Sequence, residues 1–304
     1  MDILNEIFST LKTLKKENFF KYNIKEIFLE LPYTIVELEN GHQGIAANYD
    51  YLDQRKLDYV QEKLNQNIKL SVALLEKSKK DPLLCETLLI PHYKNNLTLQ
   101  SIRVAILAAL SGGTEEYLNS RGITISPDIS FKLDDLSIPG DSIAFIGFSG
   151  NIVFALKSKN FKKIFVSDCL YTAMKLKMAK LIQMAHPDKN ISFTDLTHNT
   201  FILKQSSVTW ITASSLCNDT INSLLTEAIN CREVILQGAS GSIFPVPFFE
   251  NGVTRILCPD IDFDFLSSAK KFMKGKEFEE YFMGYCSYMD NALKSQYLTL
   301  TPER

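Results

Sequence analysis

Hydrophobic and polar positions follow two different periods along this chain, and the two are most clearly joined between Ser207 and Pro247. Val208–Ala213 is a short, β-branched apolar run, as expected of a strand covered on both faces. The polar turn Thr212–Ser215 leads to Asn218 and Asp219, residues suited to the start of a helix. Ile221, Leu224, Leu225, Ala228 and Ile229 then recur at helical spacing on one face. Glu233–Leu236 reads as the next strand, and Gly238-Ala-Ser-Gly-Ser follows at its C-terminal end. Strand, helix and strand at this spacing predict a right-handed crossover in a parallel sheet. Both polar turns should then open on one sheet edge, where doubly wound sheets bind ligands.

The pattern before this stretch is different. Met1–Asn18 reads as an amphipathic helix, with Ile3, Leu4, Ile7, Leu11 and Leu14 on one side. Lys25–Glu30, Tyr33–Glu39 and Gly44–Asn48 read as antiparallel strands, with Pro32 as a break and Glu39-Asn-Gly-His as a hairpin turn. Asp53–Lys80 is expected to be helical and charged, and Pro82 opens a further helical segment through Leu89. Leu97–Leu110 is the most apolar helix of this half and stops at Gly112-Gly113. Strands followed by helices predict a small α+β domain over residues 1–125, then a linker over 126–141.

A Rossmann-like parallel-sheet domain is expected over 142–262. Its remaining elements are strands at Ser142–Phe148, Lys163–Val166 and Val253–Leu257 and helices at Asn151–Lys157 and Tyr171–Met184. Residues 263–304 are expected to form a helical tail. Its aromatic residues (Phe265, Phe272, Phe278, Tyr281, Phe282, Tyr285) would pack on the body or on a second subunit, as in a homodimer.

Composition narrows the function. The chain has 304 residues, 45% hydrophobic and 22% charged, as expected of a soluble globular protein. A net charge of −2 supplies no large electrostatic footprint for nucleic acid. No apolar run is long enough to span a membrane and no signal-peptide pattern opens the chain, so a cytoplasmic protein is expected. The six cysteines (Cys85, Cys169, Cys217, Cys231, Cys258, Cys286) and four histidines are dispersed, without zinc-knuckle or disulfide-framework spacing. Asp188, Asp195 and His198 fall in an expected loop near the sheet edge, where a solvated loop is favoured over a shared metal.

The candidate chemistry lies at strand ends. Ile146-Gly147-Phe148-Ser149-Gly150-Asn151 keeps only the first glycine of the dinucleotide fingerprint, yet a tight turn near an anion remains open. Asp168 ends the following strand 21 residues after Gly147, where an acid commonly bonds a ribose hydroxyl, or caps the next helix. Thr212, Ser214 and Asn218 supply hydroxyls and an amide at one strand end; Ser240 and Ser242 supply more at the next. Such a set recognises polar ligands and lacks an obvious general base. Walker A spacing, a G-x-S-x-G elbow and a Ser-His-Asp order are all missing.

The segments TASSLCNDTINSLL (212–225), VILQGASGSIFP (234–245) and FFENGV (248–253) resemble the family described as putative heavy-metal chelation, whose function is unknown. YTIVELENGHQGIA (33–46) and VAILAALS (104–111) resemble its N-terminal half, so the likeness spans about residues 20–270. The resemblance implies an enolase N-terminal-like α+β domain, then a Rossmann-like domain, with a ligand cleft between them. It implies that Asn218 and Thr220 match an Asn-x-Thr turn, Gly238 and Ser240 a Gly-x-Ser turn, and Pro245 the proline beyond. Ala239 stands where the family tends to have proline. The expected ligand set is therefore Gly147, Ser149, Gly150, Asp168, Thr212, Ser214, Asn218, Thr220, Gly238, Ser240, Gly241 and Pro245. The expected ligand is a small polar molecule or metal chelate, used in heavy-metal handling or chelator synthesis. A transferase using S-adenosylmethionine or a nucleotide is the alternative.

Overall fold

The computed structural model of this chain describes residues 2–15, 22–29, 33–49, 66, 69–77, 96–127, 133–147, 151–168, 173–259, 264–267 and 297–303. It contains a three-stranded antiparallel sheet and an eight-stranded mixed sheet that share helices.

The smaller sheet is a meander of β1 (Ile24–Phe28), β2 (Tyr33–Leu38) and β3 (Gln43–Ala47). Its second hairpin closes where expected, with Gly41 at φ 88° in the turn and the Gly41 N–H donating to Leu38 O. Helix α1 (Ile3–Lys15) buries Ile3, Leu4, Ile7 and Leu11. Helix α2 (Leu97–Ser111) is capped by the Asn96 side chain, which accepts from the Leu99 N–H, and is buried along nearly its whole length. A helix apolar on all sides belongs inside a protein, and α2 lies against β2 and β3. Of the helix expected across 53–80, residues 66 and 69–77 are helical; the remainder, and the segment from Pro82 to Leu89, lie outside the described residues.

Helix α3 (Glu115–Ser120) and β4 (Ile123–Ser126) follow, and then the parallel sheet begins. Its order of elements is β5 (Asp141–Ile146), α4 (Ile152–Lys157), β6 (Phe161–Ser167), α5 (Ala173–Ala185), β7 (Asn190–Thr194), α6 (Asn199–Lys204), β8 (Val208–Thr212), α7 (Ile221–Glu227), β9 (Glu233–Gln237), α8 (Val246–Glu250) and β10 (Arg255–Pro259). The spatial order β7-β6-β5-β8-β9-β10 is parallel throughout, and it reverses direction between β5 and β8. That is the strand order of a doubly wound sheet, with its switch point at β5/β8.

Alternate residues feed two cores. Ala144, Ile146, Ile211, Leu236 and Ile256 join α1, α2, α7 and β3 in one continuous cluster. Ile143, Phe145, Trp210, Ile235 and Leu257 join α4 in the other. The antiparallel sheet is therefore welded to one face of the parallel sheet by shared apolar packing.

Three segments differ from the sequence reading. Residues 297–302, expected at the end of a helical tail, form β11 (Tyr297–Pro302), which pairs antiparallel with β10 and with β4. The alternation Leu298-Thr299-Leu300-Thr301 has period two, and its strand partners are nearly forty residues or more away in sequence. β4 likewise joins the large sheet although it falls at the end of the segment expected as the first domain. The stretch from Asp188 to His198, expected as a loop, contains β7. β7 is the edge strand beyond β6, and only Ile191 is buried, so its sequence lacks an apolar signature. The aromatic stripe after Phe265 lies outside the described residues; Phe265 itself is fully buried.

Asp141 pins the start of the parallel sheet. It accepts from the Ile138 N–H at 2.8 Å and from Arg232, whose other bond reaches Leu136 O at 3.1 Å. Burial pushes the Asp141 carboxyl upward, but the Arg232, Ile138 and Ser207 hydrogen bonds and the Arg232 charge outweigh it, leaving it below its ordinary value. A depressed carboxylate stabilises the fold above the unfolded-state pKa, and that contribution is lost as pH falls through the folded value. Asp141→Asn should cost about 2 kcal/mol at pH 7. The gap to wild type should close below about pH 4. Denaturant unfolding at pH 7 and pH 3 checks this, and an unchanged gap at pH 3 would refute the assignment.

Candidate functional site at the switch point

The connection after β5 enters α4 on one face of the sheet, while the segment after β8 leads to α7 on the other. Chains leaving adjacent strand ends toward opposite faces open a crevice between them. Gly147 turns the chain directly after β5 at φ 97°, and its N–H donates to Ser167 O at 2.7 Å. A Cβ there would collide with the Thr212 side chain, so both the turn and the close approach require glycine.

From this point a chain of hydroxyls runs toward the antiparallel sheet. Thr212 Oγ1 donates to Ile146 O at 3.1 Å, Ser214 Oγ donates to Thr212 Oγ1 at 3.1 Å, and Tyr49 Oη donates to Ser214 Oγ at 3.1 Å. The carbonyl can only accept, so it fixes the direction of every bond behind it. Tyr49 sits just beyond β3, so the relay joins the two sheets across the switch point.

A carboxamide cluster lies beside it. Thr212 and Gln237 are register partners at the ends of β8 and β9 and therefore share a sheet face. Gln237 Oε1 accepts from Trp210 Nε1 at 2.7 Å and from Asn151 Nδ2, at the head of α4. Trp210 is held between Phe145 and Phe154, with ring centroids 5.9 and 6.2 Å away and interplanar angles of 25° and 8°.

The expected site residues divide. Gly147, Thr212, Ser214 and Gly238 stand partly exposed at three neighbouring strand ends, and Asp168 directly follows β6 next to them, 7% exposed. Ser149 and Gly150 lie outside the described residues, as does Cys169.

Ser240, Gly241 and Pro245 are buried instead. Ser240 Oγ accepts from the Ala47 N–H at 2.9 Å and meets Cys217 Sγ at 3.5 Å, which makes it a joint between β3 and the turn after β9. Gly241 packs on Ala213 and Cys258, and Pro245 opens α8. Asn218 and Thr220 form a local turn: Asn218 Oδ1 accepts from the Thr220 N–H and from Thr220 Oγ1 at 2.7 Å. Asp219 between them takes φ 58°. This turn starts α7, whose Asn222 side chain accepts from the Ile3 N–H of α1.

The sequence reading missed Tyr49, Asn151, Trp210 and Gln237. Trp210 and Gln237 read as strand interior and strand end, and Tyr49 lies 163 residues before Thr212, so no local spacing ties it to the turn.

A cavity of about 550 Å³ opens at the opposite end of β9 and β10, between α7 and α8. Its charged members Arg232 and Glu250 are committed to Asp141 and Arg121, and much of its wall is apolar, including Leu225, Ile229 and Val234. Recognition chemistry is richer at the switch point, so volume and chemistry disagree, and chemistry is the better guide to a polar ligand.

Residues 131–258 match the DUF364 family, described as putative heavy-metal chelation. The resemblance drawn from the sequence is borne out. Two crystal structures of DUF364 proteins of unknown function share the fold across the chain. The protein from Pyrococcus horikoshii is 19% identical with a TM-score of 0.59, covering 99% of this chain and 100% of that one. The protein from Desulfitobacterium hafniense DCB-2 is 14% identical with a TM-score of 0.58, covering 97% and 99%. At such identities the likeness speaks for the fold alone. Among curated proteins, none matches.

The described residues do not fit a directly ligated heavy metal. Among them no three His, Cys, Asp or Glu side chains converge. Asp195 and His198 are in contact at 3.1 Å, but the Asp195 carboxylate serves as the cap for the Thr197 N–H at 3.0 Å. The Cys217 thiol is fully buried, and burial pushes it up to about 12, against the opposing hydrogen bonds of Ser240 and Ala47. Soft metals bind thiolates, and this thiol stays protonated. Hydroxyls and carboxamides suit an organic ligand that brings any metal with it. No helix among the described residues is long and apolar enough to cross a membrane.

Proposed function

We propose that the protein binds a small polar molecule at the β5/β8 switch point, between the strand-end turns and Tyr49 of the antiparallel sheet. The hydroxyl chain Tyr49–Ser214–Thr212 carries this reading, because it ties the two sheets together at the one edge where three polar strand ends meet. Gly147, Gly238 and Asp168 form the rest of the rim. A metal chelate is within this class, in keeping with the family description, with the metal held by the ligand's own donors. The role would be heavy-metal handling or chelator synthesis.

Native mass spectrometry on protein purified without chelators tests the reading. A small-molecule adduct is expected on the wild type and should be lost from Thr212→Val, which keeps the side-chain shape and removes the hydroxyl. That variant should remain folded, at a cost of about 1 kcal/mol. An adduct retained by folded Thr212→Val would place the ligand elsewhere.

A second reading rests on Asp168, which directly follows β6 next to the switch point as a ribose-binding acid does. An adduct with the mass of S-adenosylmethionine or a nucleotide would favour a transferase over a chelate binder.

A further inference from the structure

The hydrogen atoms in this crevice are already allotted, and their allotment selects a ligand. This rests on the switch-point reading above. Ile146 O obliges Thr212 to donate, Thr212 then accepts from Ser214, and Ser214 accepts from Tyr49. All three hydroxyl hydrogens are spent inside the chain, so Thr212 and Ser214 can offer a ligand only oxygen lone pairs.

Gln237 is the converse case. The indole N–H of Trp210 is a donor only, so the oxygen of the carboxamide must face it, and Asn151 donates to the same oxygen. The amide orientation is therefore dictated by Trp210. Its Nε2, with two N–H donors, has no acceptor among the described residues, and Gln237 is partly exposed at the strand end. Lone pairs on Thr212 and a pair of N–H donors on Gln237 thus stand on register-paired neighbours of β8 and β9.

We propose that the ligand is a small molecule pairing a carboxylate or carbonyl oxygen, read by Gln237, with an amino or hydroxyl donor, read by Thr212 and Ser214. α-Amino and α-hydroxy carboxylates have this arrangement. The same pairing of a carboxylate with an adjacent N or O donor makes a molecule a bidentate metal chelator, which connects the site's polarity with the chelate class proposed above. A phosphate monoester offers only acceptor oxygens above its second pKa, about 6, and the committed hydroxyls would meet it with lone pairs.

The test measures binding of four probes to the full chain by thermal shift and titration calorimetry: L-histidine, citrate, inorganic phosphate and AMP. Each is measured with wild type, Thr212→Val and Gln237→Glu. The Gln237→Glu change preserves the acceptor for Trp210 and Asn151, replaces the two donors by an oxygen, and adds a charge that repels a carboxylate. Near-UV circular dichroism reports whether the Trp210 environment is kept.

L-Histidine or citrate is expected to bind wild type, at least about tenfold more weakly to folded Gln237→Glu, and to lose binding in Thr212→Val. Phosphate and AMP are expected not to bind at this edge. Binding of phosphate that Thr212→Val abolishes would overturn the inferred polarity while leaving the switch-point site standing, and such binding of AMP would replace the inferred class with a nucleotide. A carboxylate probe indifferent to Gln237→Glu would do the same. If no probe responds to Thr212→Val, the switch-point reading fails for these ligands, and the inferred class fails with it.

Discussion

Gly44→Ala is expected to lower the unfolding free energy by about 4 kcal/mol, enough to threaten folding altogether. Gly44 lies on β3 where that strand crosses α2. An added Cβ would overlap the backbone of Ala105 and Ala109 and come within 2.9 Å of Ala108 Cβ. Backbone atoms of a buried helix cannot turn aside as a flexible side chain can, so the strand or the helix must move. Either movement disturbs Ala47, whose N–H reaches Ser240, and Tyr49, which begins the hydroxyl chain. Denaturant unfolding monitored by circular dichroism reads the loss. A cost under about 1 kcal/mol would mean that β3 and α2 do not cross as closely as described.

Trp210→Ala should cost about 4 kcal/mol and abolish binding at the switch point. Trp210 is 2% exposed, stacks with Phe145 and Phe154, and fixes the Gln237 carboxamide through its indole N–H. Trp210→Phe separates the two roles. It keeps an apolar ring in the stack and removes the donor, so stability should fall by only about 1–2 kcal/mol. Gln237 is then released to turn its oxygen toward the crevice, and affinity for a carboxylate probe should fall with it. The sequence contains one tryptophan, so fluorescence of the wild type should also report occupancy directly. A Trp210→Phe variant with full affinity would show that Gln237 needs no anchoring.

Much of the architecture could be read from local pattern. The crossover through β8, α7 and β9 followed from a short apolar strand, a helical stripe from Ile221 to Ile229, whose last member is 80% exposed beyond the helix, and a second apolar strand. The hairpin between β2 and β3, and the apolar helix α2, were equally plain. These elements write their burial into a period of two or 3.6, and a buried face cannot be polar at many positions. β7 and β11 escaped. β7 is an edge strand, with too little buried surface to leave an apolar period; β11 exists through partners far away in the chain.

The candidate site divided in the same way. Gly147, Thr212, Ser214 and Gly238 were legible because strand ends in a parallel sheet must lie on one edge. Asn218 and Thr220 hydrogen-bond each other, and Ser240 bonds the backbone of β3; from sequence, a polar residue committed to the fold looks the same as one left for a ligand. Tyr49 and Gln237 were invisible for the opposite reason, since each acquires its role only from a partner on another strand.

By itself, then, the sequence determined the periods of the well-buried segments: that β5, β6, β8, β9 and β10 are strands of a parallel sheet, and that their polar turns share an edge. Only the tertiary structure decided which polar groups at that edge remain available. Hydrogen-bond capacity is allocated between residues distant in the chain. Ile146 O commits Thr212, Trp210 commits the Gln237 oxygen, and Ala47 commits Ser240. What remains for a ligand is set by those long-range commitments, which no local pattern encodes.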